Sequence, residues 1–143
     1  MTIEAAKNSK TSVIELLRKE NLPVDDLPEF LDNFLLAREN GALIGVVGLE
    51  LYGEYTLLRS MAVARAFRGN GIASDLIVSI ESLARTNKVK TVYLLTETAS
   101  GYFKKKGYLQ IGRDEVPAEV QSSSEFSHVC PVSAIVMSKN LAS

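Results

Sequence analysis

Apolar residues first recur at helical spacing, at Val13, Ile14, Leu16 and Leu17, and then change to strand-like runs from Phe34 onward. The first pattern predicts a helix capped by Thr11 or Ser12 and ended before Pro23, with Ile3 to Ala6 as a short strand ahead of it. Asp25-Asp26 followed by Pro28 resembles a second, short helix start, because side-chain acceptors precede a residue suited to a first turn. Phe34 to Arg38, Ala42 to Leu51 and Tyr55 to Val63 are separated by Glu39-Asn40-Gly41 and Tyr52-Gly53. Both central residues of a type I′ turn need positive φ, which Asn-Gly supplies, so these three strands should form an antiparallel meander. From Ile72 to Thr86, residues Ile72, Ala73, Leu76, Ile77, Ile80, Leu83 and Ala84 fall on one helical face. Val89 to Thr96 then reads as a strand buried on both faces, and Ala99 to Lys106 as a short helix stopped at Gly107. Tyr108 to Arg113 and Ser133 to Ser138 are two further strands. The order is mixed α/β with a strand, helix, strand crossover in its middle. Without a repeat or a linker-like stretch, residues 1–143 read as a single domain.

Composition narrows the chemistry. The chain has 143 residues, 46% of them hydrophobic and 23% charged, the make-up of an ordinary globular domain. With 16 Lys and Arg against 17 Asp and Glu there is no basic surplus to neutralise phosphates, which argues against a nucleic-acid partner. Cys130 is the only cysteine, so neither an intrachain disulfide nor a thiolate metal cluster can form. His128 is the only histidine, which removes metal sites needing two imidazoles and argues against a His-based triad. Apolar runs fall far short of about 18 residues and Met1 to Lys10 lacks an apolar signal core, so a cytoplasmic chain with no membrane partner is expected. Catalysis would then fall to backbone groups, carboxylates, hydroxyls, Arg, Lys or a cofactor.

One segment offers such backbone groups. Between the strand ending at Val63 and the helix beginning near Ile72 lies Ala64-Arg65-Ala66-Phe67-Arg68-Gly69-Asn70-Gly71-Ile72-Ala73. Glycines at 69 and 71 leave the amides unshielded and the helix N-terminus adds partial positive charge, so the loop suits an anion such as pyrophosphate. Arg68 would add a full charge beside it. Taken alone, Gly-x-Gly more often marks only a tight turn. Ser74 stands where a dinucleotide fold wants Gly or Ala, and the Gly-Lys-Ser/Thr of a nucleotide-hydrolase phosphate loop is absent.

The pattern Arg-x-x-Gly-x-Ala at Arg68, Gly71 and Ala73, preceded by Leu58-Arg59-Ser60-Met61-Ala62-Val63, resembles the coenzyme-A loop of the GNAT N-acetyltransferase superfamily. Downstream, Ala99-Ser100-Gly101-Tyr102-Phe103-Lys104-Lys105-Lys106-Gly107-Tyr108 resembles that family's later helix motif. The resemblance runs from about Phe34 to Tyr108. Within the superfamily, Leu58-Arg59-Ser60, Leu94-Leu95-Thr96 and Cys130-Pro131-Val132-Ser133-Ala134 look most like the small GNAT proteins associated with arsenic resistance. These also resemble the acyltransferase domain of glutamate N-acetyltransferases.

The resemblance implies a GNAT fold: a central, mostly antiparallel sheet with a splayed parallel strand pair, flanked by about four helices. It implies acetyl-CoA as co-substrate, bound where the strand ending at Val63 separates from the strand ending at Thr96. Met61, Ala62 and Val63 would meet the pantetheine arm, the Arg68, Gly69, Asn70, Gly71, Ile72 and Ala73 amides the pyrophosphate, and Thr96 and Phe103 would line the cofactor's side. The Val63 backbone N–H is the implied oxyanion donor, a fixed dipole of the kind that dominates acyl transfer. Many members carry a Tyr general acid where this chain has Phe103. Tyr102 lies about 100° around the helix and cannot take over that position.

The partner implied is a small amine, acetylated by direct attack on the thioester, and dimers through strand edges are common in such a fold. Glu50 and Glu97 are the candidates for the base that takes the amine's proton, although a carboxylate of this kind is more often a solvated surface group. Arg59 lies inside an apolar strand, so its guanidinium needs a partner. That partner is either a carboxylate on the substrate or a structural glutamate, Glu50 or Glu54, across the hairpin. Arg38 is a weaker alternative for the carboxylate. Cys130 and His128 read as packed or surface residues, and Lys104 to Lys106 as a solvated helix face. The rival to an enzyme is a sensing or interaction module that keeps the acetyl-CoA pocket without efficient chemistry, as Phe103 and Thr96 would suit.

Overall fold

The computed structural model describes residues 1–123, 126 and 134–141. Its strands are β1 (Thr2–Lys7), β2 (Leu31–Glu39), β3 (Ala42–Tyr52), β4 (Tyr55–Val63), β5 (Thr91–Thr96), β6 (Leu109–Ile111) and β7 (Ile135–Asn140). Its helices are α1 (Lys10–Lys19), α2 (Ile72–Thr86), α3 (Ser100–Lys105) and α4 (Ala118–Gln121). The strands hydrogen-bond in the order β1-β2-β3-β4-β5-β7-β6, a mostly antiparallel sheet whose β4–β5 pair is parallel. This is the fold class the sequence pattern and the resemblance predict. Chain contacts define two compact units, Met1–Leu49 with Arg59–Ala84, and Glu50–Leu58 with Arg85–Ser143.

In the first unit, β1 pairs antiparallel with β2, and β2 with β3. Asn40 (φ 50°) and Gly41 (φ 81°) both adopt positive φ, as the Asn-Gly signal requires. The core gathers Val13, Leu16 and Leu17 of α1 against Leu31, Phe34 and Leu36 of β2, with Val46 and Ala62. Phe34 sits opposite Gly48 across the ladder, and a Cβ at Gly48 would overlap the Phe34 ring. The absent side chain therefore leaves the space that the ring occupies. α2 buries Ile72, Leu76, Ile77, Ile80 and Ala84, and with them Glu81, which the pattern does not anticipate.

In the second unit, Tyr55, Thr56 and Leu57 pair in parallel with Thr91, Val92 and Tyr93. β5 pairs antiparallel with β7, and β7 with β6. Leu57, Tyr93, Val116, Val120, Phe126 and Val136 form the core. Phe103 is buried edge-to-face between Tyr102 and Tyr108, with ring centroids 5.7 and 5.6 Å away. α3 ends at Gly107 (φ 94°), where Lys139 Nζ donates to the Lys106 carbonyl at 2.9 Å.

Four local expectations are corrected. α1 begins two to three residues earlier, after Ser9 and not Thr11 or Ser12; the Ser9 hydroxyl accepts from Arg38 Nη2 at 3.0 Å and makes no capping bond. No helix follows Asp25-Asp26: residues 21–30 contain turns and coil, because Asp26 turns inward to an ion pair. β5 starts at Thr91, not Val89, since the Lys90 and Thr91 amides first donate to the Glu54 carbonyl. β6 is only three residues long, the chain entering a 3-10 turn at Arg113–Glu115 where Glu115 accepts from the Gly112 amide at 2.7 Å. Ser133, the expected start of β7, lies outside the described residues, as do His128 and Cys130.

Candidate functional site

The part of β4 in the first unit, Arg59 to Val63, carries a residue no strand propensity predicts: Ser60 sits at φ 56°. A non-glycine residue held in the left-handed region inside a strand marks a local departure from the ladder, and such strain concentrates at functional positions. Ser60 and Met61 after it are half-buried, whereas Ala62 and Val63 return to the core. The next peptide is fixed on both sides. The Ala64 amide donates to the Ile44 carbonyl at 2.7 Å, and the Val63 carbonyl accepts from Arg68 Nε at 3.1 Å.

Past this point the chain makes a 3-10 turn at Arg65–Phe67 and then enters α2 through Gly69 (φ 84°) and Gly71 (φ 77°). Nothing lies within 4 Å of a Cβ built on either glycine, so positive φ, and not crowding, is what demands glycine here. The Arg68 amide is spent on the Arg65 carbonyl at 3.3 Å. The Asp75 amide donates to the Gly71 carbonyl at 3.1 Å as the helix opens, and the first amides of a helix have no intrahelical acceptor. Among the described residues, the amides of Gly69, Asn70, Gly71, Ile72 and Ala73 have no acceptor at all. That run of donors stands at the positive end of a 15-residue helix, an arrangement whose chemistry suits an anion and which is called the cradle below.

The Arg68 side chain is not the free cation the sequence suggests. Its Nη2 pairs with Glu20, the residue capping the C-terminus of α1, whose side chain is largely buried. The guanidinium stays half exposed, so its charge at the loop is partly neutralised from behind.

Arg59 is also paired, with a residue the sequence reading did not consider. Nη2 donates to Asp26 Oδ1 at 2.8 Å, Nη1 to the Asp26 carbonyl at 3.4 Å, and Nε to Ser60 Oγ at 3.0 Å. The two side chains are 1% and 7% exposed. Glu54, one of the expected partners, makes an exposed ion pair with Lys90 at 3.0 Å. Arg38, the other arginine considered, lies near Glu4 at 3.5 Å and donates to Ser9 and to the Gly41 carbonyl.

The remaining expected residues lie in the second unit. The Glu50 carboxylate accepts from the Tyr52 hydroxyl at 3.4 Å, and its carbonyl from Thr56 Oγ1 at 2.8 Å. Glu97 is exposed just past β5. Thr96 Oγ1 accepts from the Ala99 amide at 3.0 Å, which fixes the turn into α3. Lys106 Nζ lies 5.4 Å from the centre of the Tyr102 ring, while Lys104 and Lys105 are exposed. Sequence reasoning missed Asp26, Glu20 and the backbone of Ser60. Only Asp26 left a signal, a doubled acidic pair read as a helix cap.

Comparison with known proteins gives three findings. The acetyltransferase (GNAT) domain family matches residues 31–110. An uncharacterized N-acetyltransferase of Chlorobaculum tepidum is 31% identical over 98 residues, which make up 68% of this chain and 63% of that protein. The chain thus spans under two thirds of that relative. Two solved structures share the fold. N-acetylglutamate synthase from Neisseria gonorrhoeae, complexed with coenzyme A and N-acetyl-glutamate, has a TM-score of 0.81 at 16% identity, over 99% of this chain and 35% of that one. A Mycobacterium tuberculosis protein complexed with coenzyme A has a TM-score of 0.81 at 20% identity, over 99% of both chains.

Proposed function

We propose, from the premise that this chain belongs to the GNAT acetyltransferase family, that it binds acetyl-CoA and transfers the acetyl group to a small amine. The observation that carries this reading is the run of amides at Gly69, Asn70, Gly71, Ile72 and Ala73 without acceptors, opening α2. Those donors suit the pyrophosphate of coenzyme A, and the open space at both glycines leaves the backbone reachable. We assign Met61, Ala62 and Val63 to the pantetheine arm, the Val63 amide to the developing oxyanion, and Thr96 and Phe103 to the cofactor's side.

Acetyl-CoA supplies an activated thioester: the amine nitrogen forms the new N–C bond, the C–S bond breaks, and coenzyme A leaves as thiolate. The attacking nitrogen must lose a proton, and Glu50 and Glu97 are the proposed bases, each tested by its glutamine variant. Two neighbours support an amino-acid-like amine, since one is complexed with N-acetyl-glutamate and another Neisseria gonorrhoeae synthase structure with L-arginine. The finer resemblance to arsenic-associated GNAT proteins adds phosphorus- and arsenic-bearing glutamate analogues to the substrates to be tried. Residues 1–143 are taken to act as one acetyltransferase domain.

A second reading has an observation behind it. Phe103 is buried among aromatic rings and offers no hydroxyl to a departing thiolate, which suits an acetyl-CoA sensor with little chemistry. Coenzyme-A release from saturating acetyl-CoA across amino acids, their analogues and polyamines separates the two. Turnover confined to carboxylate-bearing amines supports the transferase; acetyl-CoA binding without turnover on any amine supports the sensor; no acetyl-CoA binding overturns both.

A further inference from the structure

Among the described residues, one buried side-chain oxygen has no hydrogen-bond partner, Asp26 Oδ2. Its twin, Oδ1, takes the Arg59 guanidinium at 2.8 Å, so the carboxylate is held rigidly by one oxygen while the other goes unserved. Buried polar atoms are almost always satisfied, and an orphaned one costs about 1–3 kcal/mol. An ionised carboxylate can only accept, so what is missing is an N–H or O–H donor. A bidentate Arg–carboxylate fork would have satisfied both oxygens, yet Arg59 instead turns Nε to Ser60 Oγ and leaves Oδ2 open.

Three further features converge on this atom. Ser60, which helps to fix Arg59, is the strained residue of β4 at φ 56°. Asp26 lies in the segment where a helix start is overruled by tertiary contact, and places where local rules lose are where function is expected. Arg59 and Ser60 directly precede Met61 to Val63, the run assigned to the pantetheine arm and, at the Val63 amide, to the developing oxyanion. The charge balance selects the donor. Arg59 balances the charge of Asp26 overall, but its guanidinium sits on Oδ1, so Oδ2 is the negative end of the pair and suits a cation carrying N–H groups. Asp26 belongs to segment 21–30, which forms no helix or strand and is anchored by Lys10 Nζ on the Pro28 carbonyl at 2.8 Å and by the half-buried Leu22, Val24 and Leu27, so this segment can shift for a ligand without breaking a ladder of its own.

We infer that Asp26 Oδ2 binds the ammonium group of the acyl acceptor, with Arg59 and Ser60 as positioning residues that hold Oδ1 and aim Oδ2. The inference rests on the transferase reading, in which such an amine exists, and it specifies that the acceptor enters as a cation. Arg59 in this arrangement does not clamp the substrate's carboxylate; its role is to hold Asp26.

The test is calorimetric titration of the coenzyme-A-saturated protein with L-glutamate, L-glutamine, glycine and putrescine, and with glutarate, which lacks the amine. The wild type should bind at least one amine and not glutarate. Asp26→Asn should weaken that amine at least tenfold while coenzyme-A affinity stays within about twofold. Should Asp26→Asn fail to fold, the charge-free pair Asp26→Leu with Arg59→Met keeps the core filled, as apolar replacement of a buried ion pair usually permits. That double variant should bind coenzyme A and no amine. The inference is overturned if no amine binds the wild type, if glutarate binds as well as the amines, or if either variant keeps wild-type amine affinity. Acetyl transfer is read separately, so amine and coenzyme A binding without transfer would sink the transferase reading and leave Asp26 as the ammonium site.

Discussion

Gly71→Glu isolates what the α2 cradle contributes. At φ 77°, any L-residue at 71 pays roughly 1–2 kcal/mol for the left-handed conformation, part of it offset by a less flexible unfolded chain. Because nothing lies within 4 Å of the added Cβ, alanine and glutamate should lose stability equally. Their difference in ligand affinity is then electrostatic. A carboxylate about 6 Å from a phosphate charge costs about 3 kcal/mol at an effective dielectric near 20, which is roughly a hundredfold in dissociation constant. Calorimetric titration of coenzyme A into wild type, Gly71→Ala and Gly71→Glu measures both steps. The expected result is a modest loss for alanine and a further loss of about a hundredfold for glutamate. A folded Gly71→Glu protein that binds coenzyme A within threefold of Gly71→Ala would refute the placement of the anion at this helix end.

Four other outcomes follow from the same geometry. Gly48→Ala should destabilise the fold by about 1–3 kcal/mol in urea unfolding, because its methyl overlaps the Phe34 ring, and Phe34→Leu should recover part of that loss in the double variant. Arg59→Met alone should cost about 3–5 kcal/mol by leaving Asp26 buried without its cation, and adding Asp26→Leu should restore most of the melting temperature. Glu20→Gln leaves the Arg68 charge unneutralised beside the cradle, so coenzyme-A affinity should rise severalfold at low salt and converge on wild type at high salt. Burial, with Tyr55 nearby as the lesser cause, raises the Tyr93 pKa above 10.0. The folded state therefore holds that proton more tightly, a contribution present below pH 10 and lost as pH climbs through the raised value; absorbance at 295 nm should show a tyrosine ionising above pH 10 in the folded protein, and Tyr93→Phe should remove that contribution.

The elements whose burial follows from their own side-chain period were readable in advance. The α2 stripe and the β2–β3 hairpin are of this kind, since Asn40-Gly41 fixes its own turn and Ile72 to Ala84 fixes its own buried face. The cradle was equally readable because it depends on backbone conformation, and glycine announces that conformation. What pattern could not show were decisions made by distant partners. Asp26 sits 33 positions from Arg59 and gives up a helix cap to meet it, and Ser9 gives its oxygen to Arg38, 29 positions away. Glu20 and Arg68 are 48 apart. Ser60 was illegible for another reason: its left-handed φ is imposed by surroundings on a residue type that carries no such preference.

Ser60 also sets a trap for anyone redesigning this chain. A propensity-guided library would place Val, Ile or Thr in the middle of β4, where neighbours such as Leu57, Leu58 and Val63 invite them. At φ 56° a β-branched residue is the worst choice available, and Val or Ile also removes the hydroxyl that accepts from Arg59 Nε. Asparagine and glycine, which strand statistics rank near the bottom, are the substitutions this backbone tolerates. A deep mutational scan of β4 should therefore show an inverted ranking at one position within an otherwise ordinary strand.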